Sequence, residues 1–221
     1  MPNSAKASAL VTPTTEFWDD ACKHLSKRDR VMKKLIPRFA DGRLESRGDA
    51  FTTLARSIVG QQISVKAAQA VWDRFAALTS SPSHRLEPAV VLGLEAPQIR
   101  AAGLSARKVE YLCDLAQHFE SGAVHVAEWQ HMDDEAIIEE LVAIRGIGRW
   151  TAEMFLIFHE LRPDIFPVDD IGLQKAVALH YRDGERMAIA ELRTFGLRWS
   201  PYRSVATWYL WRSLDPIPVE Y

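Results

Sequence analysis

The sequence predicts an all-α fold of about ten short helices joined by tight connections. Three observations carry this expectation. Apolar residues recur at three- and four-residue spacing behind Asp and Ser residues suited to capping. No segment alternates apolar and polar residues as a half-buried strand would, and no internal repeat at solenoid spacing is present.

In chain order, residues 1–14 are small and polar, with Pro2 and Pro13, and are expected to form a flexible tail. The helical pattern begins at Glu16. Asp49 can cap a helix carrying Phe51, Leu54, Ala55, Ile58 and Val59, which Gly60-Gln61-Gln62 interrupts. Ser64 can cap the next, with Val65, Ala68, Val71, Trp72 and Phe75. Residues 79–88, with Ser80-Ser-Pro-Ser-His84, are expected to form a loop. Ser105 caps a helix with Val109, Leu112, Leu115, Ala116 and Phe119 on one face, and Gly122 ends it. Asp133 or Asp134 starts another, carrying Ile137, Leu141 and Ile144. Thr151 to Leu161 is apolar on nearly every side, predicting a central buried helix that Pro163 and Pro167 stop. Asp170–Tyr181, Glu185–Phe195 and Pro201–Leu214 complete the set.

The 221 residues, 48% of them hydrophobic, suffice for one large domain or two small lobes. A net charge of −2 and a pI near 6.4 lack the basic balance that would announce nucleic acid by itself, so a DNA-binding face must be local. The two cysteines, Cys22 and Cys113, are too few for an iron–sulfur cluster and too far apart for a CxxC site. The seven histidines lack zinc-like spacing, so neither a catalytic metal nor a cofactor is expected. With no secretory pattern and no long charge-free apolar span, the expectation is a reduced protein away from membranes: cytoplasmic, nucleoid-associated if bacterial, or nuclear.

Two segments carry chemistry. Leu141-Val-Ala-Ile-Arg145-Gly146-Ile-Gly148-Arg149-Trp150-Thr151-Ala152 reads as a helix, a glycine-pinched hairpin and a second helix. Glycines turn sharply and admit another backbone closely. The second helix starts with unpaired N–H groups at the positive end of its dipole, where an anion is favoured. Arg145 and Arg149 add charge and Thr151 a hydroxyl, so the motif suits a phosphate backbone without reading bases. A plain helix–turn–helix corner would also use such glycines. Downstream, Phe166-Pro-Val-Asp169-Asp170-Ile171 places two carboxylates at a helix start, where the dipole favours the ionised form. Either aspartate could serve merely as an N-cap.

Taken with Phe51…Ile58-Val-Gly-Gln61-Gln62-Ile-Ser64-Val-Lys66-Ala-Ala68, Gly103-Leu-Ser105-Ala-Arg-Lys108 and Trp199-Ser-Pro201-Tyr-Arg203-Ser204, these segments resemble the helix–hairpin–helix DNA glycosylase superfamily. Within it the sequence is most similar to the alkylated-purine branch, 3-methyladenine DNA glycosylase II. The resemblance spans roughly residues 16–214. It implies a two-lobed fold with a DNA cleft between the lobes. Residues 15–50 and 163–221 would form one lobe, and residues 51–162, ending in the hairpin, the other. It also implies a monomer whose partner is double-stranded DNA with a damaged base, and no membrane association.

The same resemblance assigns roles. Asp170 matches the branch's catalytic aspartate, although other branches with Pro-Val-Asp would select Asp169. Breaking an N-glycosidic bond builds positive charge on the sugar, which a fixed carboxylate stabilises. A purine alkylated at N3 or N7 is already cationic and leaves without the second carboxylate that glycoside hydrolysis requires. The lyase subgroup carries a Schiff-base lysine where Trp150 stands, so a monofunctional enzyme leaving an abasic site is expected. Gln62 matches the intercalating position that fills the gap left by a flipped nucleotide. Trp150 and Trp211 match base-pocket aromatics, whose faces attract a cationic base, and Met154 replaces an aromatic wall with a softer one. Any one tryptophan can equally be core, as is expected for Trp18, Trp72, Trp129 and Trp208; Trp199 fits either role. The resemblance adds Gln62, Ser64, Arg145, Gly146, Gly148, Arg149 and Thr151 as DNA contacts. It also offers the backbone carbonyls of Val142, Ile144 and Ile147 as ligands for a monovalent cation. Two other activities remain open: a non-catalytic DNA-binding module, or a glycosylase for neutral lesions such as hypoxanthine or ethenoadenine.

Overall fold

A computed structural model describes residues 14–46, 48–79 and 85–215; the expected N-terminal tail, up to Pro13, and Ser80–His84 lie outside it. The described residues contain α-helices and two 3-10 turns but no strand, as expected of an all-α chain. They form two compact units.

The first unit comprises residues 48–146 of the described chain. Its neighbour in sequence supplies α1 (Trp18–Arg28) and α2 (Met32–Arg38), which belong to the second unit with residues 147–215. Unit 1 contains α3 (Ala50–Gly60), α4 (Val65–Leu78), α5 (Pro88–Leu92), α6 (Ala96–Ala101), α7 (Ala106–Glu120) and α8 (Asp134–Val142). The expected caps on three of them form: Asp49, Ser64 and Ser105 each accept a backbone N–H from the first turn. Asp133 occupies the N-cap of α8 without a capping side-chain bond. α7 is the spine of this unit and packs against α3, α5 and α6. Its apolar face buries Val109, Leu112, Leu115 and Ala116, and Phe119 meets Phe51 of α3 edge-on.

Unit 2 adds α9 (Arg149–Phe158), α10 (Ile171–Tyr181), α11 (Ile189–Gly196) and α12 (Arg203–Leu214). α12 is its spine, with buried residues on every side and contacts to α1, α2 and α10. Trp18 and Trp208 pack edge to face at 5.2 Å. Trp199 is fully buried, which settles its place in the core together with Trp18, Trp72, Trp129 and Trp208.

Three expectations need correction. α5 and α6 were absent from the expected set, because five or six residues are too few to display a 3.6-residue period. The buried helix runs Arg149–Phe158 and stops well before Pro163: His159 closes it, and Leu161 adopts a left-handed φ of +53°. The boundary between units falls after Gly146 and not after residue 162. α9 belongs with the terminal segments because its partners come later in the chain: Phe158 stacks on Trp211 of α12, and Trp150 bonds Asp170 ahead of α10. Among the described residues no helix is long and apolar enough to cross a membrane.

Unit 2 is knitted by a buried carboxylate. Asp29, 7% exposed, accepts the backbone N–H groups of Val31 and Met32, the Tyr181 hydroxyl at 2.9 Å and the Trp199 indole N–H at 3.0 Å. One side chain thus caps α2 and fastens α10 and the 3-10 turn Leu197–Trp199 to it. Burial, followed by the Asp29 charge, pushes the Tyr181 phenol far above its usual value, so it remains a donor. Asp29→Ala strands four donors and should lower unfolding free energy by about 3 kcal/mol, read as a shifted urea midpoint.

Unit 1 holds a comparable knot near the 3-10 turn Trp129–His131. Glu140 accepts the Trp129 indole N–H at 3.0 Å and lies 2.6 Å from His125 Nδ1. Burial pushes its carboxyl up, but the bonds from Trp129 and His125 outweigh it and leave the group below the usual carboxylate value. Glu140 therefore contributes stability that is present above the unfolded carboxylate range and is lost as pH falls through the lowered folded value. Glu140→Gln should flatten that acid limb in a denaturation midpoint measured against pH.

Candidate active site

The loop entering α10 is held by a clamp that fixes where its aspartates stand. Arg203, at the start of α12, grips Asp164 through Nε at 2.8 Å and Nη2 at 2.9 Å, and its backbone N–H adds a third bond. Ser200 Oγ donates to the same carboxylate, while Ser204 Oγ accepts Ile165 N–H and donates to Arg162 O. The Trp199-to-Ser204 motif is thus a scaffold for residues 162–170; its polar side chains support the loop.

At the end of that loop Asp170 is the N-cap of α10 and accepts Leu173 N–H on Oδ1 at 2.6 Å. Two indoles converge on the same carboxylate: Trp211 Nε1–H donates to Oδ1 at 2.8 Å and Trp150 Nε1–H donates to Oδ2 at 3.0 Å. Both oxygens are therefore engaged: Oδ1 takes two donors, while Oδ2 takes one and keeps a lone pair free of these contacts. Gly172 makes this convergence feasible. A Cβ there would lie 3.1 Å from Asp170 Oδ1 and 3.2 Å from Trp211 Cδ1, crowding both. Phe158 stacks on Trp211 with centroids 5.7 Å apart and planes at 12°, fixing the orientation of that indole. Trp150 is 39% exposed, so it keeps accessible surface beside the carboxylate. Met154 sits buried on α9. Asp169, by contrast, is exposed, and no hydrogen bond or ion pair reaches it among the described residues.

The hairpin glycines play unlike parts. Gly146 has φ +88°, and a Cβ on it would fall 2.2 Å from the Tyr111 ring, so both conformation and space demand glycine. Gly148 is extended, with nothing within 4 Å of a Cβ; it caps α9 without a side chain. The two arginines are already engaged by acids: Arg145 Nη2 with Glu110 at 3.0 Å in unit 1, and Arg149 Nε with Glu153 at 3.1 Å along α9 in unit 2. Of the remaining residues singled out, Thr151 lies half-buried in the first turn of α9, Ile144 and Ile147 are buried, and Val142 is exposed. Among the described residues no cluster of His, Cys, Asp or Glu could hold a metal ion.

In unit 1, Gln62 is exposed with a left-handed φ of +59°, and Ser64 caps α4 beside it. A recess of about 290 Å³ borders this turn, lined by Gln61, Gln62, Ile63, Ala67, Gly103 and Lys108 among others. Asp170, Trp150 and Trp211 do not line it, so this recess and the convergent carboxylate are separate features. Gly172, Phe158 and Lys108 were not read from the sequence as site residues. Only Lys108 left a trace there, as the end of the Gly103-to-Lys108 motif.

The chain is similar to known proteins over most of its length. Residues 55–198 match the family described as HhH-GPD superfamily base excision DNA repair protein. A DNA-3-methyladenine glycosylase 1 of Schizosaccharomyces pombe is 32% identical over 198 residues, covering 86% of this chain and 85% of that protein. The crystal structure of a DNA-3-methyladenine glycosidase from Bacillus halodurans superposes with a TM-score of 0.81 at 34% identity, over 88% of this chain and 89% of the other. A Schizosaccharomyces pombe 3-methyladenine DNA glycosylase, solved in complex with abasic DNA, gives a TM-score of 0.73 at 30% identity and covers 90% of this chain and 100% of its own. The chain belongs to the HhH-GPD superfamily of base excision DNA repair proteins.

Proposed function

We propose that this protein is a monofunctional DNA glycosylase that flips alkylated purines out of duplex DNA and hydrolyses their N-glycosidic bond, leaving an abasic site. The observation that carries the reading is the Asp170 carboxylate, held at a helix N-terminus by Leu173 N–H and by the indoles of Trp150 and Trp211. The relatives named for 3-methyladenine glycosylase activity support it.

As the bond to the base lengthens, positive charge grows on the deoxyribose, and a carboxylate fixed beforehand stabilises it without reorganising. Two indole donors fix the group in place. Its role is that of a positioned negative charge, which can also orient the attacking water. The accessible face of Trp150 stacks a cationic methylated purine more strongly than a neutral one. A base that is already cationic needs no general acid, and the site accordingly invests in charge stabilisation. With an indole at position 150, the hairpin has no amine there to form a Schiff base. Gln62 serves as the wedge that replaces the extruded nucleotide, and the uncapped start of α9 after Gly148 receives a phosphate.

Single-lesion duplexes provide the direct test. Release of 3-methyladenine and 7-methylguanine is expected, with hypoxanthine and ethenoadenine processed more slowly; a reversed order would replace the alkylpurine reading with a neutral-lesion one. Asp170→Asn should reduce single-turnover release by about 10³-fold while leaving lesion binding within a few-fold. Asp169→Asn should change neither. If Asp170→Asn releases base at the wild-type rate, the catalytic assignment fails. Borohydride added during turnover should trap no protein–DNA adduct, whereas a trapped adduct would reveal lyase chemistry.

A further inference from the structure

Gln62 stands in a backbone conformation that is unfavourable for a non-glycine residue, and something must hold it there. α3 ends at Gly60, leaving carbonyls at its negative end in need of donors. Lys108 of α7 supplies them: its ammonium donates to Val59 O at 2.7 Å and to Gln61 O at 2.8 Å. The Gln61 carbonyl shares a peptide plane with Gln62 N, so pinning that oxygen fixes one of the two planes that define φ of Gln62. A second tie comes from the same residue, as Gln61 Nε2 donates to Gly146 O at 2.9 Å.

The supports share one helix. Lys108, Tyr111 and Asp114 follow at three-residue intervals and so lie along one stripe of α7. Lys108 holds the α3–α4 turn, the Tyr111 ring packs where Gly146 lacks a Cβ, and Asp114 Oδ2 accepts Arg145 N–H at 2.8 Å. Ser105 in turn caps the turn of α7 from which Lys108 projects. Burial lowers the Lys108 pKa from the usual lysine value, and two short charge-assisted bonds use the cation in place of water.

We propose that Lys108 is a positioning residue for base excision: together with Gln61 it locks the α3–α4 turn so that Gln62 is presented in advance as the wedge, with the α7 stripe setting that turn against the hairpin glycine. The inference rests on the reading of Gln62 as the wedge. A lysine that merely capped α3 would support folding without acting through Gln62.

A double-mutant cycle separates these roles. The variants are Lys108→Met, Gln62→Ala, their combination, and Gln61→Ala, which removes the second tie from the turn. Wedge insertion is read without chemistry, from 2-aminopurine fluorescence beside an abasic-site analogue in duplex DNA. Excision is read under single turnover from 7-methylguanine in duplex and in single-stranded DNA. Lys108→Met should weaken the fluorescence change and slow duplex excision about tenfold, and leave the single-stranded rate within about twofold. Gln61→Ala should shift the same two readouts in the same direction, and it carries the test if Lys108→Met does not fold. The double variant should be no slower than Gln62→Ala alone. Equal slowing on both substrates, or a full additional loss in the double variant, overturns the proposal while leaving the wedge intact. An unchanged fluorescence response in Gln62→Ala overturns the wedge reading itself. Wild-type insertion without excision of 7-methylguanine points instead at the proposed substrate.

Discussion

Three N–H donors on one carboxylate organise the candidate active site. Asp170 cannot be moved without disturbing the first turn of α10, the indole at the start of α9 and the indole on α12. Three helices of unit 2 therefore meet at a single negative charge. The donors are one backbone amide and two indoles, which carry no charge of their own and cannot neutralise the aspartate by transferring a proton. The group stays an acceptor whose charge is oriented but not cancelled, which suits stabilisation of a cationic transition state.

The same economy recurs through unit 2, where carboxylates serve as joints. Asp29 gathers two backbone N–H groups, a phenol and an indole; Asp164 takes a bidentate guanidinium, a hydroxyl and a backbone N–H. In each case the acid has several donors, because a buried or half-buried anion left with fewer would cost more than its contacts return. The Asp164–Arg203 clamp stands one step behind Asp170. It sets the path of the loop whose last residue is Asp170, and its precision is passed on to the site.

In unit 1 the corresponding constraint is close approach. Gly146 is held against Tyr111 in a conformation only glycine adopts easily, and its carbonyl receives Gln61. Arginines that sequence reading assigns to phosphate instead have acidic partners in this structure, with Glu110 and Glu153 bonded to Arg145 and Arg149. The Arg145–Glu110 pair is exposed on both sides and exchanges easily for other anions, whereas Glu153 is buried beside Arg149.

Local chemistry was enough to expose much of this protein in its sequence. Capping by Asp49, Ser64, Ser105 and Asp170 is decided within four residues, and an all-helical chain follows from periodicity alone. The hairpin glycines and the adjacent aspartates could also be read, because turn geometry and N-capping are short-range demands. The sequence could not choose between Asp169 and Asp170 on its own terms, since either can sit at a helix start. Tertiary structure distinguishes them: only Asp170 receives the indoles of Trp150 and Trp211, and the latter is forty-one residues away. The place of α9 in unit 2, the space that Gly172 leaves for an indole, and the reach of Lys108 to Gln61 are likewise long-range facts. No local pattern encodes them, because each depends on which distant side chain arrives with a donor and whether there is room for it.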